Sequence, residues 1–438
     1  MEVISSIYNS GYNVKKFYLG SRELNLAYLG NQVIYDEVIG DNDLNYILYE
    51  FYGSDTLPNT VEAPVKRAIL KGQTLVNRIT SHGFGGNNQV YESRLFDQPF
   101  NTGDIFTVFV VNPNVTTVVI GFNNSLNDSW MGERRYDVPS NKKITVTVPS
   151  GAKCKYMGVV VPNRNDSTGF ENSLVAVEGD QTHLNVDTYF EGMQSVRMPT
   201  LTTSNGDGTK TNILTVNEDV TLRGIGEVKD ELNCLTGEVT ERIKEVVLNG
   251  SENWARRSGG TSYAYFINNF FGYNNVEGIT SSFKFIKGGA MSTQTQESIC
   301  SATTQTTLSL FTNKDELSTV ENLKTYLSQN PVTIQYKLEV ESTKTVDLTI
   351  VDQGGKTINK LNSFNGTTYV STEVAENSAY PMVSLEVASE LQAAMSKVAE
   401  DIELIKPVQN DIETTLDTQS NDIDSLLLAT TELFEMFL

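Results

Sequence analysis

Cysteine and histidine are scarce in this chain. Its 438 residues include three cysteines, Cys154, Cys234 and Cys300, and two histidines, His82 and His183. Three widely spaced thiols make neither a disulfide framework nor a zinc site, and they fit assembly in a reducing cytoplasm. Neither histidine stands in a Cys or carboxylate pattern that would hold a metal. Both are read as loop or surface residues, and no metal or other cofactor is expected. The common catalytic signatures are missing as well: no Gly-x-Ser-x-Gly, no Walker loop and no His-Glu-x-x-His. Positive charge is outnumbered, 33 Lys and Arg against 54 Asp and Glu, for a net charge of −21. That sign argues against a nucleic-acid partner held through its phosphates. No window is apolar for long enough to span a bilayer, and the N-terminus lacks the basic-then-apolar pattern of a signal peptide. The expectation is a protein that does not insert into membranes and is not exported by an ordinary signal.

What the chain does have is a long heptad pattern at its end. Over residues 391–438, Leu391, Met395, Val398, Ile402, Ile405, Ile412, Leu416, Ile423, Leu426, Leu433 and Phe437 fall on one 4-3 seam. Gln409, Gln419 and Thr430 are the seam positions without a large apolar side chain. A strict seam held this long is narrower than an ordinary core-facing stripe and points to helices that wrap around copies of themselves. From Glu386 onward there are twelve acidic residues and two lysines, so about half of the net negative charge sits here. Pro407 removes an amide donor. The register runs through it unbroken, so two helical pieces are expected, either in line or folded back as a hairpin. The mixed Leu, Ile, Val and Met seam does not meet the two-strand rule, and a homotrimer is the expected assembly.

Ahead of that segment the pattern is β. Tyr18-Leu19-Gly20-Ser21 recurs ten residues on as Tyr28-Leu29-Gly30-Asn31, so residues 1–40 read as a small β-meander that must dock on something. Residues 41–64, with Pro58 and Pro64, read as a linker. Short β-branched runs between turn clusters then suggest two β-sandwich units of jelly-roll type, 65–189 and 190–378. The second is expected to hold one short helix at 315–327, with Leu317, Val320, Leu323 and Leu327 on a face, followed by a strand in which Val332, Ile334, Tyr336, Leu338 and Val340 alternate inward. Tyr380-Pro381 marks the expected border with the helical segment, 379–438. The fold class expected is mainly β with a C-terminal helix.

One loop carries site-like chemistry. Residues 123–137 include Asp128, Trp130, Glu133, Arg134, Arg135, Tyr136 and Asp137. Sugar binding needs a flat aromatic face for the apolar side of the ring and fixed polar groups for its hydroxyls. Trp130, Arg134, Arg135, Tyr136 and Asp128 supply both, and they form the candidate glycan site. Two carboxylates also raise a glycosidase pair, and the plain alternative is a Trp plugging the sandwich edge behind a solvated rim. Trp254, with Arg256 and Arg257, follows a regular strand and reads as core. The glycine-rich stretch 83–88 reads as a flexible hairpin.

Several stretches resemble minor structural proteins of tailed bacteriophages that infect Gram-positive bacteria. They are Leu70-Lys71-Gly72-Gln73-Thr74-Leu75-Val76-Asn77, Val177-Glu178-Gly179-Asp180, Tyr189-Phe190-Glu191-Gly192-Met193-Gln194-Ser195-Val196 and Leu232-Asn233-Cys234-Leu235-Thr236-Gly237-Glu238-Val239-Thr240-Glu241-Arg242. Val247-Leu248-Asn249-Gly250-Ser251-Glu252-Asn253-Trp254, Asn330-Pro331-Val332-Thr333-Ile334-Gln335-Tyr336 and Phe364-Asn365-Gly366-Thr367-Thr368 continue it. The N-terminal meander also looks like modules of such proteins. The resemblance implies a virion location after assembly in the host cytoplasm, β-sandwich domains of carbohydrate-binding type, other virion proteins and host cell-wall glycan as partners, and no catalysis. It carries no defined set of binding residues. The expected role is a tail-tip or baseplate appendage that helps attach to the host envelope. The alternatives are a capsid or collar fibre that only anchors, and a tailspike that degrades polysaccharide.

Overall fold

The computed structural model describes residues 13–14, 27–29, 32–35, 46–59, 63–84, 90–95, 99–124, 130–162, 168–204, 210–257, 263–289, 297–350, 360–361, 366–388 and 390–435. As the alternating β-branched and aromatic residues dictate, strands dominate and the protein is mainly β. Their apolar faces gather into three separate hydrophobic cores.

The first core is discontinuous in sequence. Its main sheet runs Gln32–Tyr35, Tyr46–Tyr52, Met382–Ala388, Ala63–Lys71, Glu231–Asn233, Glu238–Leu248 and Val332–Thr345. Met382–Ala388 pairs antiparallel on both sides, with Leu385 opposite Tyr49 on one neighbour and Ala68 on the other. Val383, Leu385 and Val387 are buried there with Tyr49, Leu70, Leu201 and Leu232. Two insertions carry the other cores. Between Thr74–Val76 and Met193–Arg197, which pair with each other, two antiparallel sheets close over Phe106, Val108, Ile120 and Met157. Between Glu238–Leu248 and Val332–Thr345 lies the third core, with Tyr265, Leu310, Leu323, Leu327 and Ile334.

This plan corrects the linear order read from sequence. The stretch taken as a linker, 41–64, carries the strands Tyr46–Tyr52 and Ser54–Asn59, and Tyr49, Phe51 and Leu57 are buried. The meander strand Gln32–Tyr35 pairs with Tyr46–Tyr52, so it continues the main sheet. The unit read as 190–378 divides between the first and third cores. The border at Tyr380-Pro381 precedes one more strand, because Pro381 has no ladder bond to lose before Met382 begins pairing. Proximity in sequence misled for the supposed linker: Tyr46–Tyr52 pairs with Met382–Ala388 and Ser54–Asn59 with Gly366–Glu373, some three hundred residues away.

The expected helix begins as a 3-10 turn, Asp315–Leu317, and continues as α1, Val320–Gln329. Thr319 caps it by accepting from the Asn322 N–H, 3.1 Å. Leu317, Leu323 and Leu327 are buried, as the spacing predicts, and the Tyr265 hydroxyl donates to the Leu317 carbonyl. The following strand buries Val332, Ile334 and Tyr336. Its alternation fails at Val340, which is 75 % exposed. There the register with Glu238–Leu248 jumps from Ile243 opposite Lys337 to Glu241 opposite Ser342. Such a bulge strands backbone donors, and Asp230 receives them. Fully buried, it accepts from the N–H groups of Arg242 (2.7 Å) and Ile243 (3.0 Å) on one oxygen and of Arg223 (3.0 Å) on the other. Burial raises the Asp230 carboxyl above its ordinary range, and these donors and the Arg223 charge pull it partly back.

The C-terminal helix α2, Glu390–Glu435, is one element of 46 residues that passes through Pro407. The in-line arrangement is therefore the one adopted, and its length is about 69 Å.

Candidate functional site

Apolar residues at heptad spacing give α2 a stripe, and none of the described residues covers its distal part. Every residue from 410 to 431 is exposed. Ile412, Leu416, Ile423 and Leu426 on the seam are between 54 % and 67 % exposed, and Leu427 and Leu428 beside them are equally open. The side chains of Leu391, Met395, Val398, Ile402, Ile405 and Leu433, and all of Phe437, lie outside the described residues. Thr430, the polar seam position, donates to the Leu426 carbonyl at 2.6 Å. Its hydroxyl is thus satisfied within the helix and can enter an apolar interface without an orphaned donor. Thr414 and Thr418 make the same bond to Asn410 and Thr414.

The patch expected to bind glycan is not a loop. Thr117–Asn124 and Trp130–Asp137 form a hairpin, and Trp130–Asp137 is the edge strand of its sheet. Asp128 and the Trp130 side chain lie outside the described residues. Strand alternation separates the rest. Arg134 and Tyr136 stand opposite Ile120 and Val118, on the core side, where Arg134 lies over the Phe122 ring at 5.5 Å and Tyr136 packs against the second core. Arg135 points the other way and pairs with Glu133 at 3.1 Å. Arg134 and Arg135 therefore do not face one ligand together. Trp254 is core, as read: it is buried in the third core and its indole N–H donates to Glu252, 3.1 Å. The His183 ring is exposed and rests 4.3 Å from the Tyr52 ring. The backbone of His82 belongs to the strand Ile79–Phe84 rather than to a loop, and its side chain lies outside the described residues.

A second site forms where the three cores meet. Segments 73–78, 99–104, 177–181, 224–226 and 278–285 enclose a cleft of about 400 Å³. Its wall is apolar at Leu75, Phe100, Ile279, Phe283 and Phe285, and polar at Gln73, Arg78, Asp104, Glu178, Gln181 and Lys284. Arg78 is clamped: its guanidinium lies over the Phe100 ring at 5.1 Å and donates to Glu178 at 3.1 Å. Burial pushes its pKa down, while Glu178 and Asp104 pull it back. The Gln73 side-chain oxygen is buried and has no hydrogen-bond partner among the described residues. The floor is tight because Gly72 and Gly224 cross in backbone contact; a Cβ on Gly72 would stand 2.2 Å from the Arg223 carbonyl oxygen.

A polar network runs behind the cleft. The Thr74 hydroxyl meets Ser195 Oγ at 2.9 Å and donates to Gln335 Oε1 at 2.7 Å. Gln335 Nε2 donates to Ser195 Oγ and to Glu245. Four of the stretches that carry the sequence resemblance, 70–77, 177–180, 189–196 and 330–336, thus converge here. Sequence reasoning missed this site because its residues are brought together only by tertiary structure. The one signal available was Gly72-Gln73-Thr74, a polar tripeptide inside an otherwise strand-like motif.

Burial pushes the Cys154 and Cys234 thiols up to about 12, so both are unreactive, and all three cysteines are free and buried. Among the described residues no group of three His, Cys, Asp or Glu side chains is placed to hold a metal ion, and no helix is long and apolar enough to cross a membrane. No family model matches the chain, and no curated protein or solved structure matches it significantly.

Proposed function

We propose that the protein is a non-enzymatic structural component of a tailed-phage particle, a tail-tip or baseplate appendage joined as a homotrimer through α2. The observation that carries the assembly is the uncovered seam of Ile412, Leu416, Ile423 and Leu426 on a helix that leaves the body. Exposed apolar surface of this extent marks an association site, and a seam at 3.5-residue spacing fits a parallel bundle of like helices. Gln409 and Gln419 then lie inside, where copies related by an axis can bond one another and fix register. The phage assignment rests on the sequence motifs quoted above. In this reading α2 is the stalk and the β body meets the host envelope.

Incubation of the purified protein with cell-wall polysaccharide of Gram-positive bacteria tests the role. Co-sedimentation without release of reducing ends is expected. Release of reducing ends would replace the appendage with a depolymerising tailspike, and no binding to any wall preparation would reduce the role to anchoring.

A further inference from the structure

We propose that the cleft at the junction of the three cores binds a neutral sugar residue. The proposal draws on the envelope-attachment reading only for where such a sugar would come from; the argument for the site is its own chemistry. A pocket of about 400 Å³ is at the lower end of the range, about 300–1,000 Å³, in which small ligands are held, and domain junctions are where such pockets concentrate. The lining combines apolar side chains, Phe283, Phe285 and Ile279, with hydrogen-bonding groups, Gln73, Arg78 and Gln181. A sugar presents that same division, a face of C–H groups and a rim of hydroxyls.

Charge narrows the class. Two cations, Arg78 and Lys284, are matched by two carboxylates, Asp104 and Glu178, and Arg78 is already paired with Glu178. A phosphate would need an excess of cations and a metal ion an excess of carboxylates. The cleft has neither excess, which favours a neutral ligand. Gln73 supplies the direction: its buried Oε1 accepts from no group among the described residues. A buried acceptor left without a donor costs stability, and native structures rarely leave one. A ligand hydroxyl is a donor of the right kind, and it reaches this oxygen once the Gln73 side chain turns into the cleft. If the cleft were only a packing fault, Gln73 would be a liability to the fold, and replacing it would stabilise the protein with no other consequence.

The test is saturation-transfer NMR on the full-length protein with glucose, galactose, N-acetylglucosamine and N-acetylgalactosamine, each alone. At least one is expected to bind. Gln73→Leu removes the acceptor at similar volume and is expected to weaken that sugar about tenfold, the worth of one well-made hydrogen bond, with a melting temperature at or above that of the parent. Lys284→Trp, at an exposed position on the rim, blocks the mouth and is expected to abolish the signal without unfolding the body. Binding that survives unchanged in both variants, or no binding of any of the four sugars, overturns the proposal. A trimer that binds no sugar leaves the reading of α2 standing, and a monomer that binds sugar at this cleft does the reverse.

Discussion

Val383, Leu385 and Val387 alternate along a strand that has a hydrogen-bonded neighbour on each side, and all three are buried. Ile412, Leu416, Ile423 and Leu426 repeat along α2 and none is buried. Both sets are aliphatic and both are regularly spaced. The difference is what the chain provides to cover them. A strand offers its edges to distant segments, and the body recruits partners from residues 46, 63 and 382 onward into one sheet. The distal half of a helix about 69 Å long is met by no described segment of its own chain. Burying a large aliphatic side chain contributes about 1.5–3 kcal/mol, so four of them represent roughly 6–12 kcal/mol per chain that only a partner can supply.

Variants in the two regions should therefore fail in different ways. The largest expected effect is on the body. Asp230→Ala orphans three backbone donors, each worth about 1–3 kcal/mol when buried, so a loss of at least about 3 kcal/mol of body stability is expected by denaturant melts. Oligomer mass at low temperature should stay unchanged. A loss below 1 kcal/mol would mean that water or a local shift satisfies the bulge. The converse variant, Ile423→Asp with Leu426→Asp, should dissociate the assembly by sedimentation while moving the body's melting temperature by less than about 2 °C, since neither residue touches the body.

Pro407→Ala acts on the helix alone. The proline leaves the Glu403 carbonyl without its helical donor, and alanine is about 3 kcal/mol better in a helix interior. Helix signal by circular dichroism should persist to higher temperature with the body transition unmoved. A smaller effect concerns salt. The segment Glu390–Glu435 holds few Lys and Arg against its many carboxylates, so parallel copies repel and association should tighten between 20 mM and 300 mM salt as screening shortens to within a helix diameter, about 10 Å. Smallest is a pH effect at Asp230. Its folded pKa is raised by burial, so the folded state binds this proton more tightly than the unfolded chain. The contribution is fully present below the unfolded value, about 3.9, and is lost as pH rises through the folded value. Proton uptake on folding in mildly acidic buffer, absent in Asp230→Ala, reports it.

What could be read in the sequence divides along the same line. The helix was legible almost residue by residue, because a heptad is a local pattern and Pro407 at an outer position did not break its register. Strands were legible as strands, α1 buries Leu323 and Leu327 of its predicted face, with Leu317 in the preceding turn and Val320 half-buried, and Trp254 was recognised as core. The nesting was not legible. Tyr46–Tyr52 sits in a Gly- and Pro-flanked stretch that reads as a connector, and only its pairing with Met382–Ala388 makes it core. The failure of alternation at Val340 depends on a bulge set by Asp230, more than a hundred residues earlier. The patch around Trp130 satisfied a chemical template but not a geometric one, since a hairpin strand sends Arg134 and Arg135 to opposite faces. Gln73, Arg78 and Lys284 carry no shared local signal, because the cleft they line exists only where three cores abut.

In the proposed assembly α2 is covered by copies of itself. Analytical ultracentrifugation at moderate salt, on the full-length protein and on a chain ending at Ala388, tests it most directly. That end point keeps the central strand Met382–Ala388 in place. Three times the chain mass of 48.4 kDa is expected for the intact protein, and a folded monomer for the shortened one. A monomer in both, or the same oligomer in both, would contradict it.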